Sequence, residues 1–243
     1  MKTIFKTSCF AALITVFVGC EPNTDDSMPV VDTQTITESE LLNLVDLSVF
    51  TEPTGRSRPV VSYATVFDPI TDAPAVNDVG KSALLRFKKG VGFALKSQQT
   101  PKHTFTVWLV IFNYPENCAT PGSCEEVDFG NAEAVGIDVI YGSGGIVGGN
   151  GIGVSAGHVM EGTTYDSQRE VFFGLPPLGL LDAEKAEIHL VTRSHGPKIP
   201  GMVDEQTSSY AGGCDDPYGT PPFTYIPVNS GECADIQFSV HRL

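Results

Sequence analysis

Positive charge is scarce in this sequence. Its 243 residues carry 15 Lys and Arg against 29 Asp and Glu, a formal net charge of −14. So acidic a chain does not suit nucleic acid or an anionic lipid surface as a partner, because both repel it. Long apolar runs are equally few. After residues 10–18 none is long and apolar enough to cross a bilayer. No internal repeat is present, and no C-x-x-C knuckle of the kind that nucleates a structural zinc site. The alternation of strands and helices that an α/β fold requires is missing too. Tryptophan occurs once, at Trp108.

What is there begins with an address. Lys2 and Lys6 form a basic start, and residues 10–18 form an apolar run interrupted only by Thr15. That pattern is a secretory signal, too short for a transmembrane helix. Phe17-Val18-Gly19-Cys20 resembles a bacterial lipobox, which predicts cleavage after Gly19 and acylation (palmitate) of Cys20 as the mature first residue. Two acyl chains suffice for stable anchoring, since each buried methylene contributes about 0.8 kcal/mol. The body is expected to be soluble and tethered to the membrane. Glu21 after the cysteine favours the outer membrane, by resemblance to enterobacterial sorting rules. Losing Lys2 and Lys6 takes the formal charge from −14 to −16. The expected organisation is a signal over residues 1–19, a lipidated acidic tether over 20–45, and one domain over 46–243.

Cysteine usage agrees with export. Cys9 leaves with the signal and Cys20 is acylated, so Cys118, Cys124, Cys214 and Cys233 remain. An even number in an oxidising compartment predicts disulfides, with three possible pairings. Cys118–Cys124 and Cys214–Cys233 are preferred, because each pair brackets a turn-rich insertion.

The body reads as β throughout. Residues 59–67, 83–87, 91–96, 104–112, 135–141, 152–160, 170–173, 186–197 and 235–241 are strand-like, and a short helical turn is expected at 40–45. Residues 104–112 are apolar on both parities, as in a strand covered on both faces. The glycine-rich residues 142–151 lie between two β-like runs, which predicts a hairpin turn; a phosphate loop would need a helix after it. About eight or nine short strands predict an all-β fold, a single β-sandwich of jelly-roll or immunoglobulin-like type.

Candidate chemistry concentrates on residues 186–197. Ile188 and Leu190 share one face of that strand; Glu187, His189, Val191, Arg193 and His195 share the other. On the last strand Ile236, Phe238 and Val240 are expected to face in, with Asp235, Gln237, Ser239 and His241 facing out. Glu187, His189, Arg193, His195 and His241 are therefore the candidate binding residues. Imidazole suits copper or zinc. His189 and His195 are separated by about 20 Å along a straight strand. A metal site would more easily pair His189 with His241 from a neighbouring strand; the alternative is that these histidines are exposed or satisfied locally, with no cofactor. Gly153-Val154-Ser155-Ala156-Gly157 matches the nucleophile elbow of hydrolases, but lacks the helix that lifts such a serine. It reads as a strand of small residues, and no catalytic residue is assigned.

A resemblance rests on several of these segments. Trp108 to Asn113, Pro115-Glu116-Asn117-Cys118, Ala186 to Val191 with Arg193-Ser194-His195-Gly196-Pro197, Gly212-Gly213-Cys214 and Asp235-Ile236-Gln237-Phe238 resemble an uncharacterised family of secreted bacterial β-rich proteins and lipoproteins. More loosely, Ala186-Glu187-Ile188-His189 is similar to the Ala-x-Ile-His segment of CHRD domains, extracellular β-sandwich modules. The resemblance implies fold and location, and no catalytic residue. Composition and resemblance together predict a lipid-anchored envelope β-sandwich acting as a binding or structural module, with a protein or small molecule as its possible ligand; the alternative is a copper- or zinc-binding periplasmic protein or redox enzyme using His189 and its neighbours. Cys20→Ser should move the chain from the membrane fraction to the soluble fraction; a variant still sedimenting with washed membranes contradicts the lipid anchor.

Overall fold

Apolar side chains on both parities make β4 (His103–Phe112) a strand buried on both faces, and the remaining strands arrange themselves on either side of it. The computed structural model describes residues 36–50, 59–67, 78–210, 212 and 233–243. The signal, Cys20 and the tether up to residue 35 lie outside these residues, as do Cys214 and the side chain of Cys233. The other strands are β1 (Val60–Phe67), β2 (Asp78–Phe87), β3 (Gly90–Gln98), β5 (Ile137–Ile146), β6 (Ile152–Met160), β7 (Glu187–Pro197) and β8 (Cys233–His241). All pairings are antiparallel, in the order β5-β4-β7-β8-β1-β2-β3-β6.

The fold is all-β, as expected. The eight strands form one nearly closed sheet rather than two separate ones. Among the described residues its two halves join through one backbone pair, Phe67–Phe238, where β1 meets β8. At the far side the edges β5 and β6 approach without a ladder, and Ser143 and Ser155 hydrogen-bond across the gap. Between the halves lies the main core, with Phe93, Phe105, Leu109, Ile111, Ile188 and Leu190 buried together. Small residues permit the closure: a Cβ on Gly157 would lie 2.7 Å from the Gly142 carbonyl oxygen and 2.9 Å from the Phe93 ring. The serine of the G-x-S-x-G match thus sits within β6 itself, where close approach demands small side chains.

Two sequence expectations change. The glycine-rich segment does turn, with Gly151 in the left-handed region at φ 77°. It does not make a hairpin, however, because β5 pairs with β4 and β6 with β3. Residues 170–173 are not a strand. They belong to a one-turn helix, which Gly174 ends at φ 64° by donating its N–H to the Glu170 carbonyl. Three further short α-helices are present among the described residues, Glu38–Leu42, Ala132–Val135 and Val203–Thr207, beside three 3-10 helices, Leu47–Phe50, Pro115–Asn117 and Glu126–Asn131. In chain order the α-helices are α1, α2, α3 (Arg169–Phe173) and α4.

Both outer faces carry a layer of their own. Thr37 and Glu40 form a capping box that starts α1 and sets Leu41 over β2 and β3, where it is fully buried with Val45, Leu85 and Phe87. Over β4, β5 and β7 lies a second outer layer, described below.

The largest departure concerns β8. Its polar residues face inward: Gln237, Ser239 and His241 are buried, while Ile236, Phe238 and Val240 are half-buried on the outside. Alternation decides which residues share a face; it does not decide which face meets the core. Here β1, which adjoins β8, and the two strands beyond it, β2 and β3, present Ser62, Ser82 and Ser97, which partner that polar row.

Closure by small residues has a measurable consequence. Gly157→Ala should destabilise the domain by about 1–3 kcal/mol through overpacking. Gly149→Ala, where an added Cβ meets nothing within 4 Å, should stay within roughly 0.5 kcal/mol of wild type. Equal thermal melts for the two variants would contradict a sheet closed at β5 and β6.

Candidate functional site

Inside the barrel, His241 stands between hydroxyls. Its Nδ1 lies 3.0 Å from Ser62 Oγ and its Nε2 2.9 Å from Ser82 Oγ. Ser82 spends its proton on Ser239, at 2.7 Å. The ring proton therefore sits on Nε2 and is donated to Ser82, and Nδ1 accepts from Ser62. Burial, with the charge of Arg86 behind it, pushes His241 down to about 3. Arg86 donates to the carbonyls of Ala183, Ala186 and His241 at 2.7–3.0 Å. Ser97 donates to Gln237 at 2.6 Å, and Gln99 donates to Ser97 at 3.1 Å.

The outer face of β7 carries the other candidates. Glu187 is buried and accepts from the backbone N–H of Cys124, 3.2 Å from each carboxylate oxygen. His189 Nε2 donates to it at 2.8 Å, and Arg242 Nε lies 3.4 Å away. Cys124 is joined to Cys118, so this carboxylate ties a disulfide-closed loop onto the strand. Asp128 shapes the same loop by accepting from the N–H groups of Ala119 and Glu125. Further along β7, Arg193 donates to the Tyr210 carbonyl at 2.6 Å and to Asp235 at 3.0 Å, with its guanidinium 4.1 Å over the Tyr210 ring. His195 is fully buried. Its Nδ1 donates to the Gly212 carbonyl, so Nε2 accepts from Thr106 at 2.8 Å, and Thr106 in turn accepts from Trp108 at 2.7 Å. Burial pushes His195 down to about 4.

Between these polar groups the outer face is an open apolar cleft. One lobe, of about 400 Å³, is bounded by Trp108, Val139, Phe172, Phe173 and Tyr210. The other, of about 590 Å³, is bounded by Phe112, Phe238, Val240, His189, Glu125 and Arg242. Val110, Phe129, Val191 and Asp235 line both lobes, so the two are continuous. Volumes of this size suit a small-molecule or peptide side-chain site. Buried Asp138 positions the α3 wall: it accepts from Ser167 Oγ and from the N–H groups of Val139, Leu178 and Gly179 at 2.6–2.8 Å.

The candidate residues thus fall into separate places. Glu187 and His189 are together at the floor of one lobe. Arg193 backs the junction, and His195 is sealed behind Trp108. His241 lies on the opposite face of the sheet from His189, because Val240, not His241, is the register partner of His189. Strand parity therefore keeps His189 and His241 from sharing a metal. Among the described residues the one group of three His, Cys, Asp or Glu ligand atoms in close reach is Cys118, Cys124 and Asp128, and both of its sulfurs are bonded to each other. The Cys214–Cys233 pairing lies outside the described residues.

Sequence reasoning missed the apolar walls. Phe129 sits in a short 3-10 helix, Glu126–Asn131, with no periodicity to mark it; the sequence places Phe172 and Phe173 on a strand, and Phe238 and Val240 inside. No family model, no curated protein and no solved structure matches the chain.

Proposed function

We propose that this chain is a lipid-anchored cell-envelope lipoprotein whose β-domain is a binding module, with the outer cleft over β4, β7 and β8 as its binding face. In that reading Cys20 holds the domain at the outer membrane, and only the part of the expected 20–45 tether before Ile36 lifts it off the surface, because Ile36, Leu41 and Val45 are buried against the sheet. The two halves of the sheet serve as the layers of a sandwich, as in other secreted β modules, which the likeness to secreted bacterial β-rich proteins also favours. A binding role is favoured over a catalytic one because the candidate histidines His189, His195 and His241 are engaged in structural hydrogen bonds.

One observation carries the proposal: among the described residues a continuous apolar cleft lies open over β4, β7 and β8, which are already laddered to one another. Exposed apolar surface of this kind is retained where it is used. Phe129 is 38 % exposed and Phe172 is 41 % exposed, both on the cleft walls. Trp108, the single tryptophan, lies at the cleft floor and reports on it.

N-phenyl-1-naphthylamine, a neutral apolar dye, should bind and take up excitation energy from Trp108. Val191→Glu, at the junction of the lobes, should weaken that binding at least tenfold while leaving the thermal melt close to wild type. No energy transfer in the wild type, or undiminished transfer in the variant, contradicts the cleft as the binding face.

A further inference from the structure

The cleft has a chemical preference as well as a shape. Its apolar floor follows β4 from Trp108 to Phe112, four residues or about 14 Å along the strand. Aromatic rings run its length in contact: Trp108 lies 5.2 Å from Tyr210, Tyr210 4.8 Å from Phe172, and Phe173 5.9 Å from Phe129. Phe129 then lies 6.2 Å from Phe112, which lies 4.8 Å from His189.

The charge around these rings has one predominant sign. Among the described residues Glu125, Glu126 and Asp235 line the cleft, against the guanidinium of Arg242 and that of Arg193 on its wall. Arg242 is already directed to Glu187, and Asp235 to Arg193. Glu125 and Glu126 are exposed beside Phe129, and no salt bridge among the described residues involves either. An anion entering here meets two carboxylates at the mouth. A cation meets those carboxylates together with accessible aromatic faces, which attract it through the ring quadrupole. The wall already holds one cation this way: Arg193 lies 4.1 Å over the Tyr210 ring and 3.0 Å from the Asp235 carboxylate.

We infer that the cleft takes a cationic amphiphile: an apolar body seated along Trp108, Val110 and Val191, carrying an ammonium or guanidinium group at the Phe129–Glu125–Glu126 mouth. This assignment rests on the cleft being the binding face, and adds the class of ligand that enters it. The apolar body supplies most of the affinity by burial. The cation supplies discrimination, because its opposite would be held against like charge.

Three probes share one eight-carbon chain and differ only in the head: octyltrimethylammonium, octan-1-ol and octanoate. Each is titrated below its micellar concentration into the full chain carrying Cys20→Ser, with Trp108 fluorescence as the readout. Octyltrimethylammonium should bind at least tenfold more tightly than octanoate, with octanol between them. Glu125→Gln together with Glu126→Gln should shrink that ratio to less than threefold, and Phe129→Ala should weaken all three probes. Octanoate binding as tightly as octyltrimethylammonium, or a ratio that survives the double carboxylate replacement, overturns the cationic preference and leaves the cleft reading intact. If no probe perturbs Trp108, or if Phe129→Ala weakens none of them, the cleft reading itself fails and the preference with it.

Discussion

The hydrogen bonds of His241 to Ser62 and Ser82 hold the two halves of the sheet together. Among the described residues β8 shares only one backbone pair with β1, so the join relies on side chains. Inside a barrel such groups are strong when complete and costly when not, because no water replaces a lost partner. Every ring nitrogen of His241 has a hydroxyl, Ser82 has Ser239, and Arg86 spreads its charge over three carbonyls. A shift of β8 by one residue would put Ile236, Phe238 and Val240 against those serines and leave the serines unpaired. The polar row therefore fixes the register of the last strand as firmly as an apolar face would.

That inward polar row has an outward consequence. With Gln237, Ser239 and His241 spent on the interior, the apolar alternates of β8 join Val110, Phe112 and Val191 on the outer face. The short elements that flank this face are tied down at their edges rather than laid across it. Glu187 hooks the disulfide loop at Cys124, Asp138 holds the α3 segment, and Asp235 holds Arg193 and Tyr210. Buried Glu187 and Asp138 fasten two of the cleft walls by accepting backbone N–H groups, and exposed Asp235 fastens a third through side chains.

Much of this was legible in the sequence, and the misses have physical reasons. The strands, the doubly covered β4 and the sorting of β7 into an Ile188–Leu190 face and a Glu187–His189 face follow from period-two alternation. The same rule misassigned β8, because alternation carries no sign; the sign came from Ser62, Ser82 and Ser97, distant in sequence. Residues 170–173 are apolar and aromatic enough for a strand, yet Gly174 closes them into a turn of helix. His189 and His241 were plausible neighbours because their strands do pair. One position of register puts them on opposite faces. Phe129 had no local pattern to mark it, since its place depends on the loop that Asp128 and the disulfide shape.

An interior join of this kind sets the protonation of its histidine. Burial holds His241 down at about 3, whereas an unfolded chain protonates it near the usual value of about 6.5. Between those values the unfolded state binds a proton that the native state refuses. The stability from the neutral ring is therefore complete above about pH 6.5, and declines by about 1.4 kcal/mol per pH unit as pH falls toward 3. The most direct test is an NMR titration of the His241 ring in the folded protein, its resonances assigned by their loss in His241→Gln. No protonation is expected above about pH 4 for as long as the fold persists, with the ring proton remaining on Nε2. A titration midpoint near 6.5 would place His241 in solvent, with β8 facing the other way, and would contradict the polar interior and the apolar cleft together.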